Sequence, residues 1–343
     1  MNIIIFVDDI GTLRTERREL KDTTKKYLEV FMKMGIHIVL TTGLPRYICS
    51  KVSEECRLSK YIISSNGAEI YDLENNRILY NCKIDSESIS NFYKAIEEEK
   101  FNVLIGFGSY EVSNYLEDDN GIKKMNSEQI KNEIKKGVYQ CRVSQRALDI
   151  ESSNWKQITE DEFSNFLSEY GRDLVWEILG SLDKTALYDL CDLNYDNIWR
   201  RVDGYKVASD VIEYIRFHKL KKLKNLVENK IFSEICIGNQ SVNFDEYGKD
   251  KSQDNWFSVV HKEASKGIAA LNLCHYLKID SKYSVGLGND FNDIKLFKSV
   301  GLPICINNPM MEEKNLKIIH NKCIDDALFW ILQKIEVGEL SIN

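Results

Sequence analysis

The stretch Ile3-Ile4-Ile5-Phe6-Val7-Asp8-Asp9-Ile10-Gly11-Thr12-Leu13 constrains this chain more than any other. Five consecutive apolar residues, four of them β-branched, read as a strand buried on both faces, the kind that occupies the middle of a parallel sheet. Two acids and a Gly-Thr pair follow without a spacer. The strand therefore delivers charge at its carboxyl end, which is where open α/β sheets bind their ligands.

The next segments repeat the same rhythm. Residues 21–34 place Tyr27, Leu28, Phe31 and Met32 on one helical face, with Gly35 as a stop signal. "IHIVLTT" is a second strand, "RYICSKVSEEC" a helix, and "YIISSNGAEIYD" a third strand that turns at Asn66-Gly67. From residue 85 to 250 the texture changes to mixed helices, short aromatic-rich strands and acidic runs, which reads as a separate α+β insertion. The βα alternation returns with "NWFSVVHKEASKGIAALNLCHYL", "YSVGLGNDFNDIKLFKSV" and "LPICINN". The expected architecture is α/β: a parallel-sheet core formed by residues 1–84 and 251–343, split by an α+β domain over 85–250. No internal repeat appears.

Several function classes are disfavoured at this stage. A formal net charge of −7 provides no concentrated basic field for a nucleic-acid backbone. No apolar run approaches the ~18 residues of a membrane span. Nine cysteines, an odd number with no C-x-x-C pair, fit a reducing cytosol, so a cytoplasmic protein is expected. His37, His218, His261, His275 and His320 show no ligand spacing, and metal binding through histidine is not expected. Lys219, Lys221, Lys222 and Lys224 interleave with Leu220, Leu223 and Val227 at helical spacing, which reads as an amphipathic helix with a solvated basic face.

Three polar pieces fall at ends of core strands: Asp8 to Thr12 after the first, Thr42-Gly43 after the second, and Asn289 to Asp293 after a late one. Ser265-Lys266-Gly267 opens a helix and brings an ammonium to the same edge. Carboxylates with one amine suit Mg²⁺ and a phosphoryl group, since hard oxygens hold the metal while Lys and Thr donate to phosphate oxygens. A carboxylate also serves as a nucleophile.

Together these pieces resemble the haloacid dehalogenase superfamily, in the branch of Cof-type, sucrose-phosphatase and mannosyl-3-phosphoglycerate phosphatase relatives with a large type-2 cap. The order is that of the family: Asp8-Asp9-Ile10-Gly11-Thr12-Leu13, then Thr42-Gly43-Leu44, Asn66-Gly67-Ala68, Lys266, and Gly288-Asn289-Asp290-Phe291-Asn292-Asp293. The resemblance implies a Rossmann-like core with an inserted cap, and phosphoryl transfer through an aspartyl-phosphate on Asp8. It implies Mg²⁺ held by Asp8, the Ile10 carbonyl, Asn289 and Asp293, with Thr42 and Lys266 on the phosphoryl oxygens. Thr12, Gly43, Asn66, Gly67 and Asn292 become candidate substrate-binding positions, Asn292 alternatively capping the helix that follows. "CRVSQR" resembles a cap stretch of the mannosyl-phosphoglycerate phosphatases, which adds Arg142 and Arg146; a plain edge strand is the competing reading.

Two positions depart from the family's pattern. Ile10 stands where the general acid/base aspartate belongs, and Asn289 replaces a metal-shell aspartate. An isoleucine transfers no proton, and general acid/base catalysis contributes about 10²–10⁴-fold. The sequence thus supports a phosphatase of a small phosphorylated metabolite such as a sugar phosphate. It leaves open two rivals: a degenerate relative that binds a phosphorylated ligand or a protein, and an enzyme that transfers phosphoryl to an acceptor other than water. Asp9 is the nearest stand-in for the missing acid.

Overall fold

In the computed structural model the apolar run forms β1 (Ile4–Val7), and its alternation explains why every residue in it is apolar. Ile5 and Val7 join a hydrophobic cluster with Leu28, Phe31 and Ile331, whereas Ile4 and Phe6 join another with Val39, Ala269 and Leu273. A strand covered by helices on both faces has no polar side. The structure describes residues 3–15, 17–99, 101–114, 121–144, 223–229, 234–237, 256–308 and 316–340.

After β1 come α1 (Asp22–Lys33), β2 (His37–Thr41), α2 (Arg46–Glu55), β3 (Tyr61–Ser64), β4 (Glu69–Asp72) and β5 (Arg77–Asn81). The chain continues through α3 (Ser86–Glu98), β6 (Asn102–Gly106), β7 (Glu111–Ser113), β8 (Ile122–Lys124), α4 (Ser127–Glu133), β9 (Gln140–Ser144), β10 (Ile235–Ile237) and β11 (Trp256–His261). It closes with α5 (Lys266–Leu277), β12 (Ser284–Gly288), α6 (Ile294–Phe297), β13 (Leu302–Ile306), β14 (Ile319–Asn321) and α7 (Ile324–Glu336). The first sheet has the order β14-β13-β12-β1-β2-β3-β4-β5, parallel except for β4 and β5; the second has the order β10-β11-β9-β6-β7-β8.

Two expectations change. Met32 is exposed, and Thr24 takes its place on the buried face of α1 with Leu28 and Phe31, its hydroxyl bonded to Asp325 of α7. The strand read as reopening the core, β11, runs antiparallel between β9 and β10 in the second sheet. Phe257 and Val259 face that sheet's own cluster with Phe92 and Val143. The chain thus rejoins the first sheet's layers at Ser265-Lys266, later than the division at 250/251. A short apolar run does not say which sheet it will enter.

In the second sheet, α3 lays Ile89, Phe92 and Ile96 on the strands, and Phe92 meets Phe257 edge-on with ring centroids 6.5 Å apart. Leu223 and Val227 are buried in the same cluster, as their helical spacing suggests; Lys219, Leu220, Lys221 and Lys222 lie outside the described residues. Among the described residues no helix is long and apolar enough to cross a membrane.

The first sheet's stability rests on this two-sided burial. Phe6 is fully buried at the sheet centre, so Phe6→Ala should lower the unfolding free energy by about 3–5 kcal/mol, read from urea denaturation of the parent and the variant.

Candidate active site

Register brings the polar pieces together. Val7 lies opposite Leu40 of β2 and Leu287 of β12, all three strands being parallel, so Asp8, Thr41-Thr42 and Gly288-Asn289 emerge side by side. β1 is also where the connections diverge: it leads to β2 through α1 on one side and borders the much later β12 on the other. That is a topological switch point, at which α/β sheets open a crevice.

Lys266 begins α5 and is buried, with its Nζ donating to Asp8 Oδ1 at 2.7 Å and to Asp293 Oδ1 at 2.6 Å. Ser265 caps this helix, its hydroxyl accepting from the Ile268 N–H. Asp293 Oδ2 accepts from the backbone N–H groups of Asn289 (3.0 Å) and Asp290 (3.2 Å), so both its oxygens are engaged by protein donors. Three close approaches permit this. A Cβ on Gly288 would lie 2.4 Å from Asp293 Cγ, one on Gly267 would lie 2.1 Å from the Lys295 carbonyl oxygen, and one on Gly67 would lie 2.1 Å from the Ser265 carbonyl oxygen.

The electrostatics follow from burial. Loss of water pushes the Asp8 carboxyl up to about 7; Lys266 opposes that shift and Asp293 adds to it. Burial works against the Lys266 ammonium, yet Asp293 and Asp8 outweigh it and hold the group above its ordinary value. Thr12 Oγ1 donates to Asn289 Oδ1 at 3.1 Å. Asp9 is fully buried in a bidentate pair with Arg14, Nε to Oδ1 at 2.6 Å and the second nitrogen to Oδ2 at 2.7 Å. Both Asp9 oxygens are therefore committed away from proton transfer, and Ile10 between these groups offers none. The loop is closed by Gly11 N–H to the Arg14 carbonyl at 2.8 Å, with Gly11 at φ +80°.

A second polar cluster adjoins the first. The Thr42 carbonyl accepts from Asn66 N–H at 3.1 Å, and Asn66 itself is left-handed at φ +57°. From β9, the Gln140 amide is assigned with its nitrogen on the Gly43 carbonyl at 3.1 Å and its oxygen accepting from Arg142 Nε at 2.8 Å, the orientation that gives both atoms complementary partners. Arg142 also donates to the Gly43 carbonyl at 3.3 Å. Tyr47 of α2 donates its hydroxyl to Glu111 of β7 at 3.1 Å; burial pushes the Glu111 carboxyl up, against Arg142 and this hydrogen bond. Glu69, also buried, faces Arg46 at 3.5 Å.

The structure thus joins Asp8, Thr12, Lys266, Asn289 and Asp293 in one hydrogen-bonded group, and Thr42, Gly43, Asn66 and Arg142 in the next. Asn292 does not cap α6, whose N-cap is Asp293; its Oδ1 is buried without a hydrogen-bond partner. Arg146 lies outside the described residues. Sequence reading missed Arg14, Arg46, Tyr47, Glu69, Glu111 and Gln140. Only Arg14, five residues from Asp9 in the same loop, carried a local signal; the others come from separate elements.

A family model for the haloacid dehalogenase-like hydrolases matches residues 5–178 and 161–321. The chain belongs to this family. Within the haloacid dehalogenase-like hydrolases it falls in the Cof-type branch, and the first sheet is the core and the second the cap. Phosphatase YwpJ of Bacillus subtilis is 18% identical over 318 residues, covering 91% of this chain and 92% of that protein. A putative phosphatase of Buchnera aphidicola is 32% identical over 89 residues, and 5-amino-6-(5-phospho-D-ribitylamino)uracil phosphatase YcsE of Bacillus subtilis is 29% identical over 75. Those two matches span 33% and 30% of the relatives' lengths and 26% and 22% of this chain. The fold matches a haloacid dehalogenase-like hydrolase from Bacteroides thetaiotaomicron at TM-score 0.62 and 15% identity, covering 96% of this chain and all of the other. A subclass IIB sugar phosphatase matches at TM-score 0.57 and 14% identity, covering 98% and 99%.

Two outcomes follow from the buried charge cluster. Gly288→Ala places a methyl group on the Asp293 carboxylate and should displace it from Lys266, lowering thermal stability and any Asp8-dependent activity together. In the second, a chelator keeps the protein free of divalent cations. The folded Asp8 carboxyl sits above its ordinary value of 3.8, so the folded state holds the extra proton and this group's contribution to stability is lost as pH rises from about 4 to about 7. Asp8→Asn removes that loss. Its melting temperature relative to the parent should therefore rise across this interval, and a flat difference would contradict the assignment.

Proposed function

We propose that this chain is a Mg²⁺-dependent phosphatase of a small phosphorylated metabolite, such as a sugar phosphate, working through an aspartyl-phosphate on Asp8. The observation that carries the reading is the Lys266 ammonium held between Asp8 and Asp293 at the switch point of the core sheet. The ammonium aims Asp8 and offers positive charge to an incoming phosphoryl group. Asp8 attacks phosphorus, the bond to the alcohol oxygen breaks, and water later cleaves the acyl phosphate, restoring the carboxylate and releasing phosphate. Thr42 would donate its hydroxyl within the same crevice, and Thr12, whose hydroxyl holds Asn289 Oδ1, would orient that amide. Asp293, with both oxygens on protein donors, acts as a positioning residue for Lys266 and the Asn289 loop.

The donor set fits a hard divalent cation. Asp8 supplies a carboxylate, Asn289 an amide oxygen and Ile10 a backbone carbonyl, and Asn292 Oδ1 is a buried oxygen with no hydrogen-bond partner on the same loop. Mg²⁺, when bound, would neutralise charge on the phosphoryl oxygens. A net charge of −7 favours a small metabolite over nucleic acid or a membrane surface as partner. The eight described cysteines are free thiols, which supports a cytoplasmic location.

The Asp9–Arg14 pair beside Ile10 favours a second reading, in which the acyl phosphate outlives the first step and passes to an acceptor other than water. No side chain of the Asp8-Asp9-Ile10 segment is free to protonate the leaving oxygen or to activate water. The experiment that separates these is phosphate release from a panel of phosphomonoesters with Mg²⁺, run beside trapping of phosphoenzyme, for the parent, Asp8→Asn and Ile10→Asp. Slow release by the parent, none by Asp8→Asn, and a gain of up to about 10²-fold in Ile10→Asp are expected. Phosphoenzyme without release would favour the second reading. Release that survives Asp8→Asn, or tight binding of phosphorylated ligands with neither release nor phosphoenzyme in any form, would overturn the proposal.

A further inference from the structure

Outside the active site, the two crossings between core and cap carry a set of metal-binding side chains. Cys82 follows β5 on the outward crossing, its N–H bonded to the Ala68 carbonyl at 2.7 Å. His261 ends β11 and Glu263 follows it on the return, while Glu234 immediately precedes β10 on the neighbouring cap strand. Cys82 Sγ lies 2.9 Å from His261 Nδ1, and His261 Nε2 lies 2.7 Å from Glu234 Oε2.

The histidine tautomer is fixed by its neighbours. The Glu263 backbone N–H, which only donates, meets Nδ1 at 3.2 Å. Nδ1 therefore carries the lone pair, and Nε2 carries the proton that it donates to Glu234. A ligating histidine is oriented by a carboxylate on its other nitrogen in this way, and an ion at Nδ1 would take the lone pair that here faces the Glu263 N–H and the Cys82 thiol. Lys262 Nζ holds the second Glu234 oxygen at 2.9 Å, which fixes that carboxylate in turn.

A sulfur of Cys82, a ring nitrogen of His261 and a carboxylate oxygen of Glu263 all lie within 4.8 Å of one another. Around a tetrahedral ion with bond lengths of about 2.0–2.3 Å, such donors sit about 3–4 Å apart. Glu263 is exposed, whereas Cys82 and His261 are half-buried. The five histidines show no ligand spacing in the sequence; this arrangement arises because the fold brings residues 179 positions apart into contact.

We propose that Cys82, His261 and Glu263 form a zinc(II) site at the junction of core and cap, with Glu234 orienting His261 and water as the fourth ligand. Thiolate and imidazole select a borderline-soft ion, while Mg²⁺ demands oxygen donors, so the two kinds of site are separated by ligand chemistry. Binding transfers the Cys82 S–H proton to solvent and involves no change of oxidation state. An ion there would tie the outward crossing to the return crossing and so restrain the cap at its base.

Cobalt(II) titration of the intact, metal-stripped chain in excess Mg²⁺ tests this, because a thiolate-to-cobalt charge-transfer band reports the cysteine directly. One equivalent should produce the band together with tetrahedral ligand-field absorption, and zinc should displace it. Cys82→Ser should abolish the band. Glu234→Gln keeps all three ligands and should weaken cobalt binding about 10–100-fold. Cys236→Ser, which alters a thiol in the same apolar cluster, should leave the band unchanged. Absence of the band in the parent, or its persistence in Cys82→Ser, would overturn the proposal.

Discussion

The buried ammonium of Lys266, shared between Asp8 and Asp293, is the interaction on which the rest of the core depends. Removing one charge from such a cluster strands the others in a low-dielectric interior, at a cost of about 3–5 kcal/mol. The backbone is shaped to prevent that. Gly67 lets the Asn66 turn lie on the start of α5, Gly267 lets α5 approach α6, and Gly288 leaves room for the Asp293 carboxylate. Each is a place where a Cβ would meet another atom at less than 3 Å. The cluster therefore fixes three pieces of chain, distant in sequence, with respect to one another.

The charge present at this site is lower than the family pattern implies. Ile10 and Asn289 together remove two carboxylates, and Asp9 is neutralised by Arg14. Around Lys266, what remains is the Asp8 carboxylate facing the ammonium, with Asp293 behind them. On the reading proposed above, such a site would keep groups suited to a phosphoryl group, while the described Asp8-Asp9-Ile10 segment offers no free side chain to move a proton. The proposed mechanism would then separate binding and the first chemical step from hydrolysis at the level of individual side chains.

The core and its site were legible because their signals are local. An apolar run ending in acids marked β1, and Asn66-Gly67, Ser265-Lys266-Gly267 and Asn289 to Asp293 each bear their chemistry within a few residues. Parallel register then aligned strand ends that the sequence could only place separately. The cap was less legible, for an equally physical reason. β11 has the same short apolar texture as a core strand, and only its partners β9 and β10 decide its sheet. Gln140, Tyr47 and Glu111 act across elements and leave no periodic trace. Cys82 and His261 are invisible to spacing rules for the same reason.

Glu111 carries a thermodynamic implication for the cap. In the arrangement described it is buried, bonded to Tyr47 and close to Arg142, and burial holds its proton more tightly than water would. A motion that parted β7 from α2 would return Glu111 to solvent and to its ordinary acidity. The carboxyl would then shed the proton it had retained, so separation of cap from core becomes easier as pH rises through the carboxylate range. The contact between β7 and α2 is in that sense also an acid, and the protons released on parting it would measure how far it has opened.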